Sequence, residues 1–253
     1  MIDLTYENYY DFGQGNENTN LDFKVLASNI SDNYDVLIFT DSKGTSIGGS
    51  RGKEWTSQII DSFERNQITF LFISRPKETT IFFTLLNFLN LNNIQFGNLI
   101  SNLGFVDFTP KKEKFIDDIL MQNPFQNQKL LKYEICDYKL NSGDMAKLFS
   151  VNYLALAKDI ADTIQKKFNK IFLLGTFEFN SKIIIERKRP LEFYNQLKET
   201  NKFIELICSY YDQFIFINVN TDLPKNGFEF SYDAVHFTQS GHNKTANLCF
   251  KHI

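Results

Sequence analysis

Short apolar runs alternate with amphipathic segments along most of the chain, and this alternation constrains the fold more than any other feature. Five runs are short and bounded by polar residues, as buried parallel strands are: DVLIFTDS (35–42), ITFLFIS (68–74), FGNLISNLGF (96–105), KIFLLGTF (170–177) and QFIFINV (213–219). Apolar residues recur at helical spacing in the five segments that follow them: 53–66, 78–91, 153–168, 190–211 and 240–253. The pattern predicts an α/β protein with a parallel sheet between two helix layers.

Composition fits one large folded domain and excludes several functions. The chain has 253 residues, is 43% hydrophobic and carries a net charge of −3, so no basic surface argues for a nucleic-acid partner. No apolar run approaches the roughly 18 residues of a membrane span, and residues 1–23 lack the form of a signal peptide. We therefore expect a cytoplasmic protein. The oligomeric state is left open.

Cysteine and histidine usage argues against metal or disulfide chemistry. The three cysteines form no Cys-x-x-Cys pair, and their odd number does not suit a disulfide framework. No His/Cys/Asp cluster has the spacing of metal ligands, and no glycine-rich stretch makes a nucleotide-binding signature. We predict neither metal nor cofactor.

The first 33 residues differ in composition from the rest of the chain. They are rich in Asn, Asp and Tyr, and we expect an extension with little regular structure. The predicted domain then spans 34–253.

Ligands of parallel α/β sheets bind outside the carboxyl ends of the strands. Two polar segments at predicted strand ends hold the chemistry of greatest interest: TDSKGTS after the first strand, and YDAVHFTQSGH after the fifth. The second contains Asp233 and His236 in an Asp-x-x-His arrangement, and Ser42 lies in the first.

Together the stretches LIFTDSKG and YDAVHFTQSGH resemble the SGNH, or GDSL, hydrolase family. Asp41 and Ser42 match the end of the family's Gly-Asp-Ser block, and the second stretch is similar to its final Asp-x-x-His block with the trailing Gly-His. Over 34–253 the resemblance implies a three-layer α/β/α sandwich with a five-stranded parallel, flavodoxin-like sheet. It also implies a serine esterase that needs no cofactor.

The resemblance assigns each of three residues a role. Ser42 is the nucleophile at a strand-to-helix elbow, where N–H groups at a helix start can hold an oxyanion. His236 is the base that takes the Ser42 proton, and Asp233 orients His236 and stabilises its cation.

The middle blocks of the family pattern depart from it. Where the family has a glycine whose N–H binds the oxyanion, this chain has Lys77 or Glu78, whose backbone N–H can still donate. Where the family has an oxyanion-binding Asn, this chain has Val106, which cannot donate. Asn102 can substitute in another register; otherwise Lys43 or Lys77 supplies positive charge, or the oxyanion hole is weaker.

Arg75 follows the second predicted strand. It is either a clamp for a carboxylate or phosphate on the substrate or an ordinary surface arginine.

The leading hypothesis is hydrolysis of a small-molecule or glycan ester, with an O-acetyl group on a carbohydrate as the favoured substrate. The stretch NLGFVDFTPKK loosely resembles a branch of SGNH-like proteins linked to bacterial surface polysaccharide. Two alternatives stay open: an O-acyltransferase with the same triad, and a non-catalytic binding module on the same fold.

Overall fold

A computed structural model describes residues 24–29, 31–45, 50, 52–75, 80–108, 111–112, 116–125, 131–139, 145–178, 191–221, 229–232 and 235–253. Its strands are β1 (Lys24–Ala27), β2 (Asn33–Thr40), β3 (Phe70–Ser74), β4 (Gln95–Ser101), β5 (Lys111–Lys112), β6 (Leu131–Lys139), β7 (Met145–Val151), β8 (Lys170–Leu174) and β9 (Phe214–Ile217). Its α-helices are α1 (Trp55–Arg65), α2 (Ile81–Leu91), α3 (Phe105–Phe108), α4 (Ile116–Gln122), α5 (Tyr153–Ile164), α6 (Leu191–Cys208) and α7 (Gln239–Phe250).

The central sheet has six strands in the order β1-β3-β2-β4-β8-β9. The five predicted strands are present and parallel to one another, in register through Phe39, Ser101 and Leu173. Numbered along the chain, the parallel strands run 2-1-3-4-5, the flavodoxin-like order. The sequence prediction of this sheet is confirmed.

Alternate residues of the strands divide the core into two halves. On β2, Leu37 and Phe39 pack in one half, which includes residues of α2 and α5 and most of the buried residues of α6. Val36 and Ile38 pack in the other half with residues of α1 and α7. This alternation follows from the two-residue period of a strand, and it produces the predicted three layers.

The sixth strand, β1, was not predicted. It pairs antiparallel with β3, with Lys24 opposite Ser74, and covers that edge of the sheet. The expectation of little regular structure before residue 34 is therefore wrong for residues 24–27. The start of the domain at residue 34 stays a prediction, and residues 1–23 lie outside the described ranges.

A second sheet was also missed. It is antiparallel, with the order β5-β7-β6, and it is inserted between β4 and α5 along the chain. The run LKYEICDYK of β6 does alternate apolar and polar residues over much of its length. This two-residue period is typical of antiparallel strands with one solvated face, and it differs from the continuous apolar runs of the central sheet.

Within the described ranges, no helix combines the length and the apolar character needed to cross a bilayer.

Candidate active site

Ser42 lies in a tight turn directly after β2. The turn is a 3-10 helix of three residues, Ser42–Gly44, and the Asp41 carboxylate caps it by accepting from the Lys43 backbone N–H at 2.8 Å. The predicted strand-to-helix elbow is wrong in one respect, because α1 begins only at Trp55. The capped turn ends at Gly44, so the chain traverses a loop before the helix starts.

His236 meets Ser42 across the edge of the sheet. The distance between His236 Nε2 and Ser42 Oγ is 3.1 Å, and both residues are half-buried. Val235 and Phe237, on either side of His236, are buried in the core. The His236 carbonyl accepts from the Tyr232 N–H at 2.8 Å, so packing and backbone hydrogen bonding both hold the backbone that carries the imidazole.

The start of α7 holds the loop that carries His236. Thr238 Oγ1 caps the helix by accepting from the Gly241 N–H at 3.2 Å, and the nearby Ser240 is exposed. Gly241 packs directly on the Phe230 carbonyl: a Cβ at this position would lie 2.0 Å from that oxygen. Glycine is therefore required at Gly241 for close approach of the two backbones.

Asn102 follows β4, the neighbour of β2 at the point where the strand order reverses. Its Oδ1 accepts from the Asp41 backbone N–H at 3.1 Å, and its Nδ2 donates to Asp41 Oδ1 at 2.9 Å. Asn102 is 1% exposed. The structure thus brings Asn102 beside the Ser42 turn, with its amide bound to Asp41.

Lys43 is buried beneath the same turn. Its Nζ lies 3.9 Å from Asp41 Oδ2 and 5.7 Å from the centroid of the Phe105 ring. Burial lowers the pKa of Lys43, and the carboxylates of Asp41 and Asp107 act in the opposite direction. Since Lys43 is 1% exposed, its ammonium group cannot touch a substrate directly.

Of the remaining candidate residues, Arg75 is within the described ranges and three others are not. Arg75 is half-buried at the end of β3, and its backbone N–H donates to the Thr40 carbonyl at 2.8 Å. Asp233, Lys77 and Glu78 lie outside the described ranges, so their roles remain predictions.

One backbone N–H beside the Ser42–His236 contact is unused by the described residues. Among the described residues, the Ser42 N–H has no hydrogen-bond acceptor, whereas the N–H groups of Lys43 and Gly44 are both used by Asp41. In serine hydrolases generally, a free backbone N–H on the attacking serine is one of the donors that can hold the oxyanion.

His242, the second histidine of the final block, has a supporting position. Its Nδ1 accepts from the Trp55 N–H at 3.4 Å, so it caps α1, and its ring packs edge-on against Phe237. Burial lowers the pKa of His242 to about 4, with a smaller contribution from the nearby His236. No motif in the sequence predicts that this residue of α7 caps α1.

No group of three or more His, Cys, Asp or Glu side chains in the described part of the chain is arranged to hold a metal ion.

These features define a class: a flavodoxin-like α/β/α sandwich with a serine–histidine pair at the switch point of its parallel sheet.

No protein-family model matches the sequence, and no curated protein matches it. Solved structures do match in fold. One is a member of the lipolytic protein G-D-S-L family from Veillonella parvula DSM 2008, at 10% identity and a TM-score of 0.52, with 86% of this chain and 97% of that chain covered. Another is an alpha/beta hydrolase enzyme from the metagenome of Lake Arreo, Spain, at 12% identity and a TM-score of 0.51, covering 86% and 94% of the two chains. The protein therefore has the fold of these proteins.

Proposed function

We propose that this protein is a serine esterase of the SGNH type. The observation that carries the proposal is the 3.1 Å contact between His236 Nε2 and Ser42 Oγ, at the sheet edge where such folds bind ligands. The lipolytic G-D-S-L protein of the same fold supports it by analogy, which is a weaker argument than the geometry.

In the proposed acylation step, Ser42 Oγ attacks the ester carbonyl carbon and its proton passes to His236 Nε2. This requires the His236 tautomer with its proton on Nδ1, which Asp233 is proposed to hold. The carbonyl oxygen becomes an oxyanion. When the tetrahedral intermediate collapses, the bond to the leaving oxygen breaks and His236 returns the proton to the departing alcohol.

Deacylation repeats the sequence with water as the nucleophile. His236 takes a proton from water, the hydroxide attacks the acyl carbon, and the proton returns to Ser42 Oγ as the acid departs.

We propose that the Ser42 N–H is the main oxyanion donor and that Asn102 is a brace for the Asp41 cap. The observation in support is that Asn102 is buried and uses both polar ends of its amide on Asp41. One missing donor typically costs about 100- to 1,000-fold in kcat, so we expect a slower enzyme than one with a full oxyanion hole.

The test is a fluorophosphonate probe together with hydrolysis of p-nitrophenyl acetate. We expect labelling at Ser42, and loss of both labelling and hydrolysis in Ser42→Ala and His236→Ala. Ser240→Ala is the matched control, since Ser240 is exposed on α7, and it should behave as the parent.

Two outcomes would overturn the proposal. Equal hydrolysis by Ser42→Ala and the parent would remove Ser42 from the chemistry, and absence of labelling between pH 6 and 9 would favour a binding module. If added sugar alcohols diverted the acetyl group from water into new esters, the same residues would serve an acyltransferase.

A further inference from the structure

The backbone that follows β8 is held rigidly at the edge of the sheet where Ser42 lies. Asn201, from α6, accepts from the Thr176 N–H at 2.7 Å and donates to the Thr176 carbonyl at 2.9 Å. Asn220, which follows β9, donates to the same carbonyl at 2.9 Å. Thr176 is 1% exposed and Asn201 is 3% exposed, so these bonds are shielded from water.

Glu178 is the exposed end of this network. Its backbone N–H donates to Asn220 Oδ1 at 2.7 Å, and its Oε1 accepts from Asn201 Nδ2 at 2.8 Å. No described residue hydrogen-bonds to Oε2, the other carboxylate oxygen. A buried amide therefore orients a carboxylate that is open to solvent.

The segment that carries Glu178 contacts the segment that carries His236. The Phe177 ring packs edge-on against the Phe237 ring with their centroids 5.0 Å apart. Phe177 directly precedes Glu178, and Phe237 directly follows His236. In the sheet, β8 is separated from β2 only by β4, which corresponds to a spacing of about 10 Å. Glu178 and Ser42 therefore follow strands that end at the same edge of the sheet, with one strand between them.

We propose that Glu178 is a specificity-determining residue that binds hydroxyl groups on the alcohol side of the ester, and that this alcohol is an uncharged carbohydrate. The inference rests on the proposed esterase function and names its substrate class. A carboxylate oxygen with no other partner accepts strongly from hydroxyl groups, and a carbohydrate presents several side by side.

The surroundings of Glu178 favour an uncharged alcohol over charged ones. The fixed negative charge repels phosphorylated or uronic alcohols. A cationic alcohol is less suited because the charge is already partly balanced. Asn201 donates to one oxygen, and the charge of Glu178 adds to the larger effect of Glu199 in raising the pKa of Lys202.

The experiment compares Glu178→Gln with the parent on two substrates. Monoacetylated methyl xylosides keep neighbouring hydroxyl groups, whereas p-nitrophenyl acetate has none on its leaving group. Asn201 Nδ2 needs an oxygen to donate to, so the glutamine NH₂ faces the substrate and a donor replaces the acceptor. We expect kcat/KM to fall about 10- to 100-fold on the xylosides, as for loss of a hydrogen bond to a charged group. On p-nitrophenyl acetate we expect a change of less than about twofold, because this substrate lacks the hydroxyl that such a bond requires.

Glu64→Gln is the matched control, since Glu64 is exposed on α1, which packs on the other half of the core from most of α6. Its rates on the xylosides and on p-nitrophenyl acetate should equal those of the parent. Equal losses on the two substrates would make Glu178 structural, and no loss on either would remove it from the site; either result overturns the inference while the esterase stands. A preference for acetylcholine that Glu178→Gln abolishes would overturn the carbohydrate assignment. A parent that hydrolyses neither acetate would instead defeat the proposed function itself.

Discussion

Lys43 and Asp41 form a buried ion pair beneath Ser42, and their charges are unequally compensated. We predict that removing one or the other lowers the free energy of unfolding by different amounts. The Asp41 carboxylate accepts two hydrogen bonds at Oδ1, from the Lys43 N–H at 2.8 Å and from Asn102 Nδ2 at 2.9 Å, whereas its Oδ2 accepts none from the described residues. Lys43 Nζ has no hydrogen-bond acceptor among the described residues, and its ion-pair contact with Asp41 is 3.9 Å long.

The magnitudes follow from these contacts. Two unit charges 3.9 Å apart attract by about 4 kcal/mol at an effective dielectric constant of about 20. Burying the ammonium group costs several kcal/mol, which offsets the attraction. We therefore expect Lys43→Met to lower the free energy of unfolding by less than about 3 kcal/mol, since the two hydrogen bonds to Oδ1 still compensate part of the Asp41 charge. Asp41→Asn should cost about 3 to 5 kcal/mol, because it strands a buried ammonium.

Urea unfolding at pH 7 measures both variants against the parent. If Lys43→Met proved as destabilising as Asp41→Asn, the ammonium would be as well compensated as the carboxylate, and the reasoning would be refuted.

The same pair makes stability depend on pH. Burial sets the pKa of Lys43 in the folded protein below its ordinary value. Between these two pKa values the unfolded chain binds a proton that the folded protein does not, so the contribution of Lys43 to stability increases as pH rises. Urea midpoints measured from pH 8 to 10.5 should show an increase in the parent, relative to Lys43→Met, and a constant difference would contradict the lowered pKa.

Three further predictions concern residues around the site. Gly241→Ala should destabilise the protein by about 3 kcal/mol or more and abolish hydrolysis, because its Cβ would lie 2.0 Å from the Phe230 carbonyl; native stability by thermal unfolding would contradict this. His242 has its pKa lowered to about 4, so about 3 kcal/mol of stability should be lost as pH falls from about 6.5 to 4, and this acid loss should be absent in His242→Gln. Asn102→Ala leaves the buried Asp41 N–H without an acceptor and should cost about 1 to 3 kcal/mol in urea unfolding, whereas a donor to substrate alone would lower kcat without this loss.

The sequence predicted the five parallel strands because their apolar runs are continuous and buried on both faces, as in Val36–Phe39. It did not predict β1, because a four-residue edge strand carries too short a pattern to stand out from its surroundings. The antiparallel insert was missed for a different reason. Its strand β6 alternates apolar and polar residues, so it has no continuous apolar run of the kind that marks the parallel strands.

The serine–histidine contact was predicted from two short motifs, and the geometry between those residues agrees with it. The motifs do not show which hydrogen bonds the neighbouring side chains make. Asn102 was considered as a donor to substrate, yet its amide binds Asp41, a contact that depends on the register between β2 and β4. No sequence motif predicts a role for Glu178, because its position depends on hydrogen bonds with Asn201 and Asn220, which are distant in sequence.

Ser42 and His236 are separated by 194 residues, and the loop after Ser42 is held to α7 by a hydrogen bond of 2.9 Å from the Ser50 N–H to Gln239 Oε1. Contacts between such distant parts of a chain are slow to form, because the intervening segment must lose its freedom first. A chain emerging from the ribosome has no Ser–His pair until the segment after β9 has been made and packed. The pairing of Ser42 with His236 is thus a late event of folding, and a partly folded chain has Ser42 without His236 beside it.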